Sequence, residues 1–208
     1  ADTKRAIVQS FQKVLTEAGC RVGNEFIERR MGIGTKKTII EAFRTCNRKL
    51  TVSVLKKLAA EKVRIQAELA DSVSLFDGAI ELLENLYEKR KIALATMSHR
   101  RVIEKILAEK GVDKYFDVVV SADDVANPKP EPEVFILSAK KLDVEPKNCV
   151  VIEDSIFGVR AAKKARMKCI AVTSGAYNKK ELVDEQPDLA INSLLEKEKI
   201  LKFIFSKK

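Results

Sequence analysis

The feature that most constrains this chain is a short apolar run, residues 149–152, followed directly by Glu153 and Asp154. Such a run predicts a strand buried on both faces, as in a parallel sheet. Helical spacing resumes over residues 156–165, so both carboxylates would lie at the carboxyl end of a strand, where open α/β sheets bind ligands. Adjacent carboxylates repel each other unless a cation is near. Asp154 therefore fits two roles equally well here, as a metal ligand or as the N-cap of the next helix.

Helical and β-rich segments alternate along the chain from residue 76 onward. The predicted strands cover residues 91–96, 117–121, 149–152, 169–172 and 189–191. The predicted helices cover residues 78–90, 101–110, 132–142 and 158–165, and a closing helix follows the last strand. This alternation is typical of an α/β fold, a Rossmann-like three-layer core built on a parallel sheet.

The first 74 residues carry helical patterns and no convincing strand. Apolar residues at helical spacing predict amphipathic helices over residues 2–18 and 51–70, with a short helix over 24–30. A loop over residues 31–38 contains two glycines and two lysines before helical spacing resumes. We therefore expect a small all-helical domain over residues 1–74 and a Rossmann-like core over residues 75–208.

The formal net charge of +9 results from 39 Lys and Arg against 30 Asp and Glu. Basic residues alternate with glutamates along helical faces, as in residues 104–110 and 196–199. This pattern favours a solvated, ion-paired surface over a nucleic-acid-binding one. The abundance of Lys and Glu is also typical of thermophilic proteins.

We expect a cytoplasmic protein, because the sequence shows no recognisable targeting signal and its cysteines are dispersed. No apolar run is long enough to span a membrane, and the first residues lack the architecture of a signal peptide. Cys20, Cys46, Cys149 and Cys169 are dispersed without Cys-x-x-Cys spacing. We expect them to be unpaired core residues in a reducing compartment, rather than disulfides or a zinc site.

Two further segments carry polar residues that could contribute to a ligand site at the carboxyl ends of the strands. Thr96 ends a predicted strand and leads through Met97 and Ser98 into the next helix, where a hydroxyl and free amides can form an anion site. The alternative is an ordinary helix N-cap. Lys129 lies between two prolines that stiffen its loop, so its ammonium group could neutralise phosphate charge from a defined position. The alternative is an ordinary surface lysine.

Taken together, these places resemble the haloacid dehalogenase-like superfamily of phosphotransferases. The Thr96 turn resembles its second motif, residues 128–130 its third and residues 151–162 its fourth. The resemblance is nearest the β-phosphoglucomutase-like and phosphoglycolate-phosphatase-like branch. In that branch a helical cap domain is inserted between the first and second motifs, where this chain has its helical region.

The resemblance implies phosphoryl transfer through an aspartyl-phosphate, assisted by Mg²⁺. Thr96 would donate its hydroxyl to a phosphate oxygen, with Met97 and Ser98 beside it in the substrate site. Lys129 would bridge the nucleophile and the phosphate, as a catalytic residue together with Thr96 and Asp154.

The metal site and the substrate loop are implied in the same way. Asp154 would ligate Mg²⁺, and Glu153 would support that ion directly or through water. The loop over residues 31–38 resembles the family's substrate-specificity loop, with Thr35 and Lys36 as candidate substrate-binding residues. A solvated helix–helix turn is an equally good interpretation of this loop.

The chain departs from the family pattern in three places. Many relatives have Asn where Met97 stands and Gly where Arg166 stands. More seriously, the first motif, Asp-x-Asp-Gly-Thr, does not occur in the 208 residues, and Asp123 and Asp124 do not replace it. That motif supplies the nucleophile and would immediately precede Ala1. We expect a truncated pattern rather than a natural loss, and no turnover by these 208 residues alone.

The predicted function is that of a Mg²⁺-dependent phosphatase acting on a small phosphorylated metabolite. A β-phosphoglucomutase-like phosphosugar mutase and a catalytically inactive binding module are the alternatives. We expect a monomer or a weak dimer, with neither nucleic acid nor a membrane as partner.

Overall fold

The computed structural model describes residues 1–206. The helices are α1 Lys4–Glu17, α2 Asn24–Glu28, α3 Thr35–Thr45, α4 Val52–Glu68, α5 Ala79–Leu86, α6 Arg100–Lys110, α7 Glu133–Leu142, α8 Ile156–Lys164, α9 Lys179–Asp184 and α10 Lys197–Phe205. The strands are β1 Ala93–Ala95, β2 Val118–Val120, β3 Val150–Glu153, β4 Lys168–Val172 and β5 Leu189–Ile191. Every predicted strand is therefore present, with small differences at the ends.

The strands pair in parallel, which confirms the predicted α/β class. β1 pairs with β2, and β4 lies between β3 and β5. The prediction of one sheet differs from the result, because β1 and β3 are not hydrogen-bonded to each other. Residues of both strands line a cavity instead. Helix α7 packs against β1, β2 and α8, so both sheets share one hydrophobic core.

Residues 1–74 form the all-helical region that the sequence predicts, called the cap below, and residues 75–208 are called the core. Helices α1–α4 bury their own set of apolar side chains, which includes Phe11, Leu15, Ile39, Phe43 and Ile65. The amide of Asp2 donates to the carbonyl of Ser74 at 2.8 Å, so both ends of the cap lie together. The division at residue 74 itself stays a prediction.

Two cysteines contradict the prediction of four free thiols. Cys20 and Cys46 form a disulfide, with their Cα atoms 5.7 Å apart. They follow α1 and α3, and the packing of these two helices brings the ends together although 26 residues separate them. Cys149 and Cys169 are free, as predicted.

The helices differ from the prediction mainly at α9, which was not predicted. This short helix begins with a capping box in which Asn178 and Glu181 each bond to the other's backbone. The Asn-x-x-Glu spacing was a usable signal. Within residues 1–206, no helix combines the length and the apolar character that crossing a membrane would require.

Candidate active site

A cavity of about 450 Å³ begins between the cap and the carboxyl ends of β1 and β3 and extends between these two strands to apolar side chains of α5 and α6. Its lining includes all the predicted site residues except Lys36, namely Thr35, Thr96, Met97, Ser98, Lys129, Glu153 and Asp154. These side chains are distant along the sequence, and the fold brings them to one place. This convergence is the geometric condition that a shared phosphate site requires.

Asp154 directly follows the last residue of β3 and lines the cavity. The N-cap of α8 is Ser155, whose hydroxyl accepts a hydrogen bond from the amide of Gly158 at 3.0 Å. The capping alternative for Asp154 is therefore wrong. Burial, and then repulsion from Glu153, raise the pKa of Asp154 to about 6 against the attraction of Lys129. A Cβ at Gly175 would lie 2.9 Å from this carboxylate, so backbone closes one side of the site.

Lys129 is buried, with only 5% of its surface exposed, and it forms an ion pair with Glu153. The surface-lysine alternative is therefore wrong. The hydroxyl of Ser155 donates to Glu153 at 3.2 Å, and the Lys129 ammonium lies 4.8 Å from the centroid of the Phe135 ring. Lys129 neutralises Glu153, which explains how two adjacent carboxylates coexist here. Asp154 is left to meet a ligand.

Asp154 and Glu153 are the oxygen donors that a metal ion could use. Mg²⁺ in phosphoryl-transfer sites commonly takes one or two protein carboxylates, with phosphate oxygens and waters as its other ligands. No group of three or more His, Cys, Asp or Glu side chains suited to a metal occurs in residues 1–206. Asp154, with Glu153 held by Lys129 beside it, matches the one or two carboxylates that Mg²⁺ takes from a protein when substrate and solvent supply its other ligands.

The Thr96 turn connects β1 to α6. The Thr96 amide donates to the Val120 carbonyl at 2.9 Å, which extends the β1–β2 pairing by one residue. Its hydroxyl accepts a hydrogen bond from the Ser98 amide at 3.1 Å. The N-cap of α6 is His99, so the helix-capping alternative for Thr96 is wrong. The hydroxyl proton can therefore be donated to a phosphate oxygen.

The glycine-containing loop of the cap lies against the core. A Cβ at Gly32 would be 3.4 Å from the Ser155 hydroxyl, and one at Gly34 would be 3.5 Å from Pro128. Both glycines have positive φ, at +100° and +89°, which side-chain-bearing residues rarely adopt. Thr35 lines the cavity from the start of α3, whereas Lys36 is exposed and lies outside the lining. A substrate-binding role for Lys36 stays a prediction without geometric support.

The Asp123–Asp124 pair serves the scaffold. Asp123 accepts a hydrogen bond from the Arg100 amide at 2.7 Å, at the start of α6. Asp124 pairs with the Arg100 guanidinium at 2.6 Å and accepts from the Ser121 amide at 2.7 Å. Neither residue lines the cavity. The structure thus agrees that they do not replace the absent first motif.

A buried lysine of the cavity lining was missed by the sequence analysis. Lys62 of α4 is 4% exposed and faces the same cavity from the cap. A signal was present, because Lys62 comes four residues after Leu58 and three before Ile65, on the apolar stripe of its helix. A lysine on such a stripe is unusual, since lysine is rarely buried without a partner.

Comparison with curated proteins gives relatives that are named as phosphatases. The chain is 33% identical to a phosphorylated carbohydrates phosphatase of Thermotoga maritima over 171 residues, which cover 81% of this chain and 78% of that protein. It is 38% identical to the fructose-1-phosphate phosphatase YqaB of Escherichia coli over 116 residues, 55% of this chain. That match spans 61% of the Escherichia coli protein, less than two thirds of its length.

Solved structures show the same fold. A hydrolase from Pseudomonas syringae superposes with a TM-score of 0.89 at 24% identity, over 98% of this chain and 93% of that one. A β-phosphoglucomutase from Clostridium difficile superposes with a TM-score of 0.85 at 26% identity, over 99% and 94%. The family model for haloacid dehalogenase-like hydrolases matches residues 1–172. With this match over most of its length, the chain belongs to the haloacid dehalogenase-like hydrolase family.

Proposed function

We propose that this protein is a phosphatase that hydrolyses a small phosphorylated metabolite through an aspartyl-phosphate, with Mg²⁺ as its cofactor. The observation that carries the proposal is the convergence of Thr96, Lys129 and Asp154 on one cavity. The names of the Thermotoga maritima and Escherichia coli relatives support a phosphorylated substrate.

The described residues have distinct tasks in this proposal. The hydroxyl of Thr96 and the amide of Met97 donate hydrogen bonds to phosphoryl oxygens. Lys129, held in place by Glu153, stabilises the charge that develops on the transferring group. Such donors act strongly because they are already positioned before charge develops on the transferring group. Mg²⁺ held by Asp154 would supply further positive charge at the phosphoryl oxygens.

The nucleophile is the component that the 208 residues do not supply. Attack by a carboxylate would divide hydrolysis into formation and breakdown of an acyl phosphate. The proposal assigns this attack to an aspartate of the family's Asp-x-Asp-Gly-Thr motif. Ala1 lines the cavity, so a segment joined to it would reach the site. The 208 residues by themselves are proposed to bind phosphate esters without hydrolysing them.

The test is a panel of phosphorylated sugars and short phosphorylated acids, with p-nitrophenyl phosphate, offered to a chain preceded by that motif. We expect phosphate release with Mg²⁺ and a strong loss after chelation. Asp154→Asn should abolish most of this activity, because one metal ligand loses its charge. Lys57→Met, at an exposed position of α4, is the matched control. Undiminished hydrolysis by Asp154→Asn would refute the proposed metal ligand.

A phosphosugar mutase is the second candidate, favoured by the likeness to the Clostridium difficile β-phosphoglucomutase. The two activities use the same core residues and differ in their products. ³¹P NMR separates them, because a mutase yields an isomeric sugar phosphate where a phosphatase yields inorganic phosphate. Binding of phosphate without either product would favour the inactive binding module.

The cellular compartment, the thermophilic source and the assembly state are proposed from the sequence composition alone. We retain a cytoplasmic, thermophilic protein that is a monomer or a weak dimer. The Cys20–Cys46 disulfide is compatible with this combination, since intracellular disulfides are common in hyperthermophiles. Size-exclusion chromatography with light scattering measures the assembly state directly.

A further inference from the structure

The turn that carries Thr96 is held from behind by the loop over residues 120–124, which follows β2. The amide of Thr96 donates to the Val120 carbonyl at 2.9 Å, and the amide of Ala122 donates to the Ser98 carbonyl at 3.0 Å. The turn lines the cavity, whereas none of the loop residues does. The loop therefore supports the phosphate side of the proposed site without reaching a ligand itself.

Asp123 of this loop makes two contacts with the residues that follow the turn. One of its carboxylate oxygens lies 2.6 Å from Nδ1 of His99, and the other accepts a hydrogen bond from the amide of Arg100 at 2.7 Å. An ionised carboxylate only accepts hydrogen bonds, so Nδ1 of the imidazole carries the proton. Burial raises the pKa of Asp123, but the hydrogen bonds from Arg100 and His99 outweigh it and hold this pKa below its usual value. Both hydrogen bonds are therefore charge-assisted at neutral pH.

The same carboxylate completes the start of α6. His99 is the N-cap residue of this helix, and its side chain makes no capping hydrogen bond. The first amides of a helix have no partner within the helix and need an acceptor from elsewhere. Asp123 supplies that acceptor from a separate loop, so the start of α6 and the turn before it both depend on this residue.

The loop that carries Asp123 is itself fixed in place. Asp124 accepts hydrogen bonds from the amide and the hydroxyl of Ser121, both at 2.7 Å, and pairs with Arg100 at 2.6 Å. Ser121 is fully buried. These contacts all join residues 96–124, so none of them depends on the chain that precedes Ala1.

We propose that Asp123 is a positioning residue that holds the Thr96 turn, through His99 and the start of α6, in the geometry that binds a phosphoryl group. This inference rests on the proposed function, in which the Thr96 hydroxyl and the Met97 amide donate to phosphoryl oxygens. Asp123 itself does not touch the substrate. Its contribution is large because such donors act only when they are already in position, and a misplacement of about 1 Å can cost about a hundredfold in rate.

The test measures the binding of inorganic phosphate by isothermal titration calorimetry in the presence of Mg²⁺, with the chain preceded by the first motif. Asp123→Ala should weaken this binding about tenfold, because the turn loses the hydrogen bonds that hold it. Asp123→Asn keeps an acceptor for the Arg100 amide and should lose no more than about threefold. Asp113→Ala, at an exposed aspartate beyond the other end of α6, is the matched control and should bind as the parent protein does.

Two further measurements separate a loosened turn from a general loss of stability. Amide hydrogen exchange of residues 97–100 should become faster in Asp123→Ala, whereas exchange of residues 156–159 at the start of α8 should stay unchanged. His99 is the only histidine of the chain, so its Cε1 proton gives a single resonance in the NMR spectrum. This resonance should shift in Asp123→Ala and stay in place in Asp113→Ala.

A double-mutant cycle tests whether Asp123 acts through His99. His99→Ala should weaken phosphate binding less than Asp123→Ala does, because the hydrogen bond to the Arg100 amide remains. The combined variant should bind phosphate no more weakly than Asp123→Ala alone, since both substitutions break the same contact. Additive losses would refute the route through His99.

The outcomes separate this inference from the proposed function. If the parent protein binds phosphate and Asp123→Ala binds it equally well, the positioning role is refuted and the phosphate site stands. Faster exchange at the starts of both α6 and α8 would indicate a general structural role and would also refute the inference. If the parent protein does not bind phosphate, both proposals fail.

Discussion

Two buried lysines line one cavity, one from the core and one from the cap, and among residues 1–206 only one of them has a carboxylate partner. Lys129 of the core is paired with Glu153, whereas Lys62 of the cap has the amide of Gln66 and the face of the Phe11 ring. Among the described residues, a carboxylate therefore compensates the core lysine, and none compensates the cap lysine. The difference shows that burial alone does not fix the electrostatics of a lysine, because an adjacent carboxylate offsets the cost of desolvation.

Removing the core lysine should have the largest effect on stability. In Lys129→Met, Glu153 would remain buried beside Asp154 without its counterion, and the free energy of unfolding should fall by about 3 kcal/mol. Urea denaturation followed by circular dichroism measures the change. Adding Glu153→Gln should recover most of the loss, because it removes the stranded charge. A single variant as stable as the parent protein would mean that the ion pair is dispensable.

Removing the cap lysine should change stability in the opposite direction. Lys62→Met replaces an uncompensated buried cation with an apolar side chain of similar length, so we expect a gain of about 2 kcal/mol at pH 7. The same denaturation experiment measures it. A loss of stability in this variant would show that Lys62 has a structural role, and the contrast between the two lysines would then disappear.

The pH dependence of that gain gives a second measurement on the same variant. Burial lowers the pKa of Lys62 to about 7 in the folded protein, whereas an unfolded lysine titrates near about 10.4. Between these values the unfolded chain binds more protons at this residue, so its contribution to stability rises with pH. The advantage of Lys62→Met should therefore be greatest at pH 7 and below and should shrink toward pH 10. A difference independent of pH would exclude a titrating Lys62.

A smaller effect is expected where the cap and the core are joined. The Tyr177 hydroxyl donates to the Arg29 carbonyl at 2.7 Å, and the Arg29 guanidinium lies 4.3 Å from the centroid of the Tyr177 ring. Tyr177→Phe keeps the ring contact and removes the hydrogen bond, so it should cost about 1 kcal/mol. Tyr87→Phe, at a residue that is 41% exposed, is the control and should be neutral. Equal effects of the two substitutions would show that the hydrogen bond between Tyr177 and Arg29 does not stabilise the contact between the cap and the core.

The smallest expected effect comes from a position away from the cavity. Arg166 is exposed and has φ of +58°, a left-handed conformation that glycine adopts without steric cost. Arg166→Gly should therefore raise stability by about 0.5 kcal/mol. Arg166→Ala, which keeps the Cβ atom, should bring no gain. This pair of variants also tests how well the turn tolerates an arginine where the family pattern that the sequence resembles has glycine.

Local pattern was sufficient for the core elements. The apolar run over residues 149–152 and its counterparts predicted all five strands, because burial on both faces leaves a continuous apolar signature. The motif resemblance also identified Thr96, Lys129 and Asp154, which the fold brings to one cavity. Pattern did not predict that the strands form two sheets, because hydrogen bonding between β1 and β3 depends on their separation in space.

Other features depended on contacts between distant segments. The Cys20–Cys46 disulfide was missed because cysteine spacing does not reveal which helix ends meet. The burial of Lys129 could not be predicted either, since the loop sequence indicates a stiff turn but not which residues pack over the lysine.

The amino-acid sequence by itself determined the family, the parallel α/β core and the identity of the residues at the strand ends. These properties follow from local periodicity and from short motifs, which act over a few neighbouring residues. Only the tertiary structure decided that Glu153 neutralises Lys129, that Ser155 rather than Asp154 caps α8, and that Lys62 is buried with no counterion among residues 1–206. Electrostatic compensation depends on distance and burial, and both arise when separate segments pack together.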